Sequence, residues 1–140
     1  MGKQKPELTP KSEKMKKIIN TDNAPAPIGP YNQATLSNGT LYISDQIPLN
    51  PKSGELVSGD IKLETKQSME NLKAILTEAE MTFENVVKSS IFLSDMNQFT
   101  EVNEVYASYF NAETAPARET VEVANLPKFV NVEISMIAVK

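Results

Sequence analysis

The chain has 140 residues, enough for one domain with a real core and cramped for two. It is 40% hydrophobic and 23% charged with a formal net charge of −4, an ordinary soluble balance that disfavours a broad phosphate-tracking surface, and no apolar run approaches the roughly 18 residues of a membrane span. Cysteine and histidine are absent, which excludes thiol nucleophiles, Ser-His-Asp triads and the usual zinc and copper sites and leaves acid–base work to carboxylates, tyrosine, lysine or water.

Residues 1–14 are polar and proline-punctuated, with too little apolar surface to offset the entropy of ordering, and read as a flexible tail. They lack the apolar core of a secretory signal, and Pro6 stands where a myristoylation motif needs serine or threonine. The expected compartment is the cytoplasm, with the mitochondrion as the alternative. A single domain is expected over residues 15–140, starting with a short edge strand near Lys16–Asn20. Three prolines and a glycine between Asn23 and Pro30 make a stiff loop that delivers Tyr31 to a defined place. Tyr31–Leu36 and Thr40–Ser44 are strand-like runs around Ser37-Asn38-Gly39, and Asn-Gly predicts a tight hairpin.

Asp60 is a plausible N-cap for a helix from Ile61 to about Met81, in which Met69, Leu72, Ile75, Leu76 and Ala79 recur at helical spacing. Val86–Leu93 reads as a strand. Phe99, Val102, Val105, Tyr106, Tyr109 and Phe110 mark a second helix of about three turns, and Glu119–Ala124 and Val130–Ala138 read as two further strands. The order β-β-β-α-β-α-β-β predicts an α+β fold with a mixed sheet and two helices on one face. Strands such as Val130–Ala138 are apolar on both alternations, so the second face needs a cover, and another copy of the chain is the simplest one.

Four polar features stand out from this pattern. Arg118 is the one arginine beside thirteen lysines; its planar fork suits a two-bond grip on a carboxylate or phosphate, and the alternative is an ordinary ion pair with Glu119 or Glu122. Arg118, Thr120 and Glu122 alternate and should share one face of their strand. Glu133 lies between Val132 and Ile134, so it either faces outward or is held in a purposeful site. Tyr31 and Asn103 are each open to a packing or surface role as well as a functional one.

Several segments carry a resemblance. Ala26-Pro27-Ile28-Gly29-Pro30-Tyr31, Gln46-Ile47-Pro48-Leu49-Asn50-Pro51, Asn71-Leu72-Lys73-Ala74-Ile75-Leu76, Val102-Asn103-Glu104-Val105-Tyr106, Pro116-Ala117-Arg118 with Val121-Glu122-Val123-Ala124, and Val132-Glu133-Ile134 together resemble the reactive intermediate (imine) deaminase family, also called YjgF-type or L-PSP endoribonuclease. The resemblance implies a chorismate-mutase-like fold, a homotrimer, and a small pocket at each subunit interface for a 2-imino or 2-keto acid. The implied reaction is hydrolysis of 2-iminopropanoate or 2-iminobutanoate to the keto acid and ammonia, without cofactor or metal. It further implies that Arg118 clamps the substrate carboxylate, Glu133 holds the attacking water and Tyr31 lines the pocket, with Ser44, Asn103 and the Thr120 backbone as further contacts.

The chain departs from the family pattern at Ser44-Asp45-Gln46, where glycine is usual in the middle, at Glu119-Thr120, where Ser-Cys is frequent, and at Asn125, which replaces an arginine. Asp45 adds an anion that would repel a substrate carboxylate or pair with Arg118. Two other functions are compatible with the residues: a non-catalytic trimer that binds small carboxylates and regulates or chaperones partners, and a ribonuclease. Nucleic acid is the less expected partner, because one arginine and no histidine are available to stabilise a phosphoryl transition state.

Overall fold

The computed structural model describes residues 15–140, so the expected tail of residues 1–14 lies outside the described residues. The strands are β1 Lys17–Ile19, β2 Ala34–Ser37, β3 Thr40–Gln46, β4 Val86–Leu93, β5 Ala117–Glu122 and β6 Val132–Val139, and the helices are α1 Ile61–Glu78 and α2 Phe99–Ala107. They follow one another as the hydrophobic periodicities require, in the order β-β-β-α-β-α-β-β. One mixed sheet of order β1-β2-β3-β6-β4-β5 results. Only β4 and β5, joined through α2, are parallel.

Alternation along β6 decides which face is covered. Val132, Ile134, Met136 and Ala138 are buried, together with Leu41 and Ile43 of β3, Ser89, Ile91 and Leu93 of β4, and Met69, Leu72, Ile75 and Leu76 of α1. Both helices therefore lie on one side of the sheet. At about 25 cal/mol per Å² of apolar surface, each large side chain in this layer contributes roughly 2 kcal/mol. On the other side Ile18, Tyr42, Val121 and Val139 are each 40–50% exposed. The α+β architecture with helices on one face agrees with the expectation, as does the surplus of apolar surface on the second face.

Local signals account for the boundaries. Asn38 and Gly39 both have positive φ, the geometry of the tight turn that joins β2 to β3 with Ser37 opposite Thr40. Asp60 caps α1, its carboxylate accepting from the amides of Lys62 and Leu63 at 2.9 and 3.3 Å. Three strands start elsewhere than expected, β6 at Val132 instead of Val130. β2 begins at Ala34, three residues after Tyr31, because the buried amide of Gln33 is tied to the preceding loop: it accepts from the Thr21 amide at 2.7 Å and donates to the Thr21, Ala24 and Pro25 carbonyls. β5 begins at Ala117, two residues early, because it pairs in parallel with β4 from Lys88 onward.

One irregularity matters for the site. Between β3 and β6 the register passes from Ile43 opposite Met136 to Gln46 opposite Ile134, so β3 spends one extra residue there. Ser44 and Asp45 together stand against Ser135. Such a bulge turns both side chains toward the same side instead of alternating them.

Candidate functional site

Arg118 lies on the edge strand β5 opposite Ser89, whose side chain is buried under the helices, so the guanidinium is on the helix side of the sheet. It rests against α2: its guanidinium carbon is 5.5 Å from the centre of the Phe99 ring and 5.0 Å from that of Tyr106, and Nη1 donates to the Asn103 carbonyl oxygen at 2.6 Å. Phe99, Asn103 and Tyr106 are spaced i, i+4 and i+7 and form one stripe of α2. Tyr106 is fixed in turn, its hydroxyl donating to Ser89 Oγ at 2.8 Å. Burial and that bond's counter-effect leave the Tyr106 phenol above its usual ionisation range, so it stays neutral beside the cation.

The expected ion-pair alternatives for Arg118 are not formed. Glu119 accepts from Ser90 Oγ at 2.8 Å and lies 3.7 Å from Lys88, while Glu122 accepts from the Met96 amide at 2.7 Å and holds the turn that leads into α2. Among the described residues no carboxylate bonds to Arg118. The guanidinium opens onto a cavity of about 590 Å³ lined by Met96, Asn97, Phe99, Thr100, Arg118 and Thr120. Thr120 Oγ1 has no hydrogen-bond partner although it is out of reach of solvent. A cation with a neutral partner, an aromatic bed and an unsatisfied hydroxyl two residues away make a receptor for a small anion with hydrogen-bond donors.

Glu133 is on the other side of the sheet. It stands opposite Phe92 of β4, half-buried on the face that no helix covers. Burial, and then the negative charge of Asp45, push its carboxyl up to about 7. Asp45 itself is raised above the ordinary carboxylate range, chiefly by desolvation between strands, with the hydroxyl of Ser135 drawing it back. Ser44, the other bulge residue, donates from Oγ to the Asn32 carbonyl at 2.7 Å, and its amide donates to the Gln33 carbonyl at 2.9 Å. These bonds tie the bulge to the segment that follows Tyr31. Tyr31 is 51% exposed, with its hydroxyl accepting from the Ile28 amide at 3.3 Å.

The predicted residues thus fall into two groups. Arg118, Thr120 and Asn103 meet on the helix side at the β5 edge; Glu133 and Ser44 belong to the open face, and Tyr31 stands in the loop next to that bulge. Asp45 does not pair with Arg118 within the chain, because β6 and β4 stand between their strands. Within the chain the carboxylate neighbour of Asp45 is Glu133. Phe99 and Tyr106 were absent from the sequence-derived site because aromatic residues at helical spacing read as core. Their common stripe with Asn103 is the signal that identifies them.

Residues 21–140 match the family model described as Endoribonuclease L-PSP. A RutC family protein of Pyrococcus horikoshii is 53% identical over 126 residues, covering 90% of this chain and 99% of that protein. The 2-iminobutanoate/2-iminopropanoate deaminase of Mus musculus is 48% identical, with 90% and 93% covered. The crystal structure of a Rid family protein from Yersinia pestis superposes with a TM-score of 0.87 at 48% identity, covering 89% of this chain and 99% of that one. With the family model spanning nearly all described residues, with relatives at this identity, and with the same fold, the chain belongs to the YjgF/L-PSP family of reactive intermediate deaminases.

Proposed function

We propose that this protein hydrolyses short 2-imino acids, such as 2-iminopropanoate and 2-iminobutanoate, to 2-keto acids and ammonia. The observation that carries the reading is Arg118: a guanidinium held by Asn103 and two aromatic rings, with no carboxylate of the described residues bonded to it, facing an open cavity shared with Thr120. The relatives named for this reaction support the same reading.

In this mechanism Arg118 takes the substrate carboxylate through two parallel bonds, and the Thr120 hydroxyl supplies the contact it otherwise lacks. Glu133 holds a water against the protonated imine carbon. As the water oxygen bonds to that carbon, its proton passes to the Glu133 carboxylate and the C=N electron pair moves to nitrogen. The acid then returns the proton to the amine nitrogen, the C–N bond breaks as the C=O bond forms, and the hydroxyl proton leaves with the nitrogen as ammonium. Orientation and one well-placed water suffice, because imines hydrolyse in water unaided.

Arg118 and Glu133 point to opposite sides of one sheet, so a site using both must be completed by a second copy of the chain. A homotrimer closed over the exposed Ile18, Tyr42, Val121 and Val139 face meets that need, with one site at each junction. We place the reaction in the cytoplasm. No helix of the described residues is long and apolar enough to cross a membrane.

The test couples the purified protein to a threonine or serine dehydratase and follows keto-acid release. Acceleration that is lost in Arg118→Ala is expected; equal rates with and without the protein would overturn the reading. A second reading rests on the same cavity: Arg118 alone is sufficient to bind a small carboxylate without turnover. Binding of a keto acid in the absence of any rate enhancement would favour that regulatory role.

A further inference from the structure

At the junction that the site requires, the charges come from two copies and do not balance. One copy supplies two carboxyls on its open face: the bulge in β3 puts Ser44 and Asp45 opposite Ser135, and Glu133 is the next residue of β6 on that face, so Asp45 and Glu133 are diagonal neighbours across one strand pair. The neighbouring copy brings Arg118. The residues that line the Arg118 cavity with it, Met96, Asn97, Phe99, Thr100 and Thr120, are neutral, and Glu122 further along β5 is another anion, bound to the Met96 amide at 2.7 Å. Around the two carboxyls, Tyr42 of β3, Ser135 and Ile137 of β6, and Ser90 and Phe92 of β4 are uncharged, while Lys88 lies 3.7 Å from Glu119 and the two largely offset each other. One guanidinium therefore meets two carboxyls before any ligand arrives.

Resting on the imine-hydrolysis reading and on the junction it needs, we propose that Asp45 is a specificity-determining residue: its charge beside Glu133 makes the site take 2-imino acids in their protonated, zwitterionic form and disfavour the 2-keto acids they become. A keto acid brings a carboxylate alone. Arg118 answers that charge, and Asp45 and Glu133 are left repelling each other and the ligand. An iminium acid brings the same carboxylate and a cationic nitrogen on the next carbon, the one that Glu133 must reach with water, so the cation enters beside the surplus of negative charge. Nearby opposite charge also favours the protonated imine, the form that water attacks. Once the nitrogen has left as ammonium that attraction is gone, and the keto acid is the weaker ligand. Within one copy both carboxyls are held above the ordinary range, Asp45 chiefly by burial and Glu133 by burial and then by the charge of Asp45, so the two groups already feel one another.

The test is titration calorimetry of the full-length protein at neutral pH with 2-oxobutanoate and with L-2-aminobutanoate, which carries a cationic nitrogen on the same carbon. The wild type should bind the amino acid at least as tightly as the keto acid. In Asp45→Asn the keto acid should bind more tightly and the amino acid less, so that the ratio of their affinities shifts roughly tenfold toward the keto acid. Asp45→Ser should act in the same way and takes its place if Asp45→Asn does not fold, while Asp45→Glu, which keeps the charge, should keep the wild-type ratio. A merely structural Asp45 would on removal weaken both ligands in parallel, and an Asp45 bonded to the neighbouring Arg118 would on removal let both bind more tightly in parallel. Either parallel change, or no change, overturns the proposal. A shifted ratio in a protein that does not accelerate dehydratase-coupled keto-acid release leaves the charge preference standing and removes the reaction; acceleration with an unshifted ratio does the reverse.

Discussion

Arg118 donates to Asn103 at 2.6 Å, so among the described residues its side-chain partner is a neutral carboxamide and not a carboxylate. A carboxamide fixes the guanidinium without cancelling its charge. The remaining donors stay available to a ligand.

Asn103→Ala should therefore weaken substrate binding more than it slows chemistry. Removing one hydrogen bond to a charged group costs about 1.5–3 kcal/mol, so KM should rise roughly tenfold or more with kcat changed far less. Asn103→Asp should be worse than Asn103→Ala, since it installs an internal anion on Arg118. Steady-state kinetics of the two variants in the coupled assay provide the check.

Thr120→Val keeps the shape of the side chain and removes a hydroxyl that has no partner in the chain. The folded protein should be as stable as the wild type or slightly more so, by up to about 1 kcal/mol, because a buried unsatisfied group is lost. Keto-acid affinity should fall by roughly fivefold if the hydroxyl bonds to the ligand. Denaturant titration and calorimetric binding separate the two effects.

Gly39→Ala tests the hairpin. Gly39 has φ +81°, and an added Cβ would lie 3.1 Å from the Lys140 carbonyl oxygen, which belongs to the residue whose amide bonds to the Gly39 carbonyl at 2.9 Å. Left-handed backbone costs an alanine about 1–2 kcal/mol, and the close contact adds to it. The unfolding midpoint should drop accordingly, with m unchanged.

Glu64 provides a stability prediction with a definite sign. It is buried in the first turns of α1, and desolvation raises its carboxyl above the ordinary range, against the bond it accepts from Asn131 at 3.1 Å. The folded state therefore holds the proton more tightly than the unfolded state. Stability from this group is greatest at low pH and is lost as pH rises through the unfolded value of 4.5 toward the raised folded value. Glu64→Gln can still accept from Asn131 and carries no charge to bury, so it should be more stable than the wild type at pH 7 and equal to it near pH 4. Chemical denaturation at the two pH values measures the difference.

The topology was legible because each element carries its own period: alternation in β6, 3.6-residue spacing in α1, Asn-Gly between β2 and β3. Arg118 was legible for a different reason, namely its rarity among lysines. The aromatic bed beneath it was not, since Phe99 and Tyr106 satisfy the spacing of a core stripe equally well. The bulge at Ser44 and Asp45 leaves no mark in the alternation of a seven-residue strand, and without it Asp45 has no assigned side of the sheet. Tyr31 was drawn into β2 because no proline or glycine interrupts the run from Tyr31 to Leu36; the bonds of Gln33, which no pattern announces, hold that stretch off the ladder.

The facing of Arg118 and Glu133 away from each other has a genetic consequence. In a closed ring each reaction centre would borrow its cation from one subunit and its carboxylate from the next, so two inactive alleles can rescue one another. Subunits carrying Arg118→Ala, mixed in equal amounts with subunits carrying Glu133→Ala and reassembled, should regain about one quarter of wild-type turnover, while a chain bearing both substitutions should silence the two junctions it forms and leave the third active.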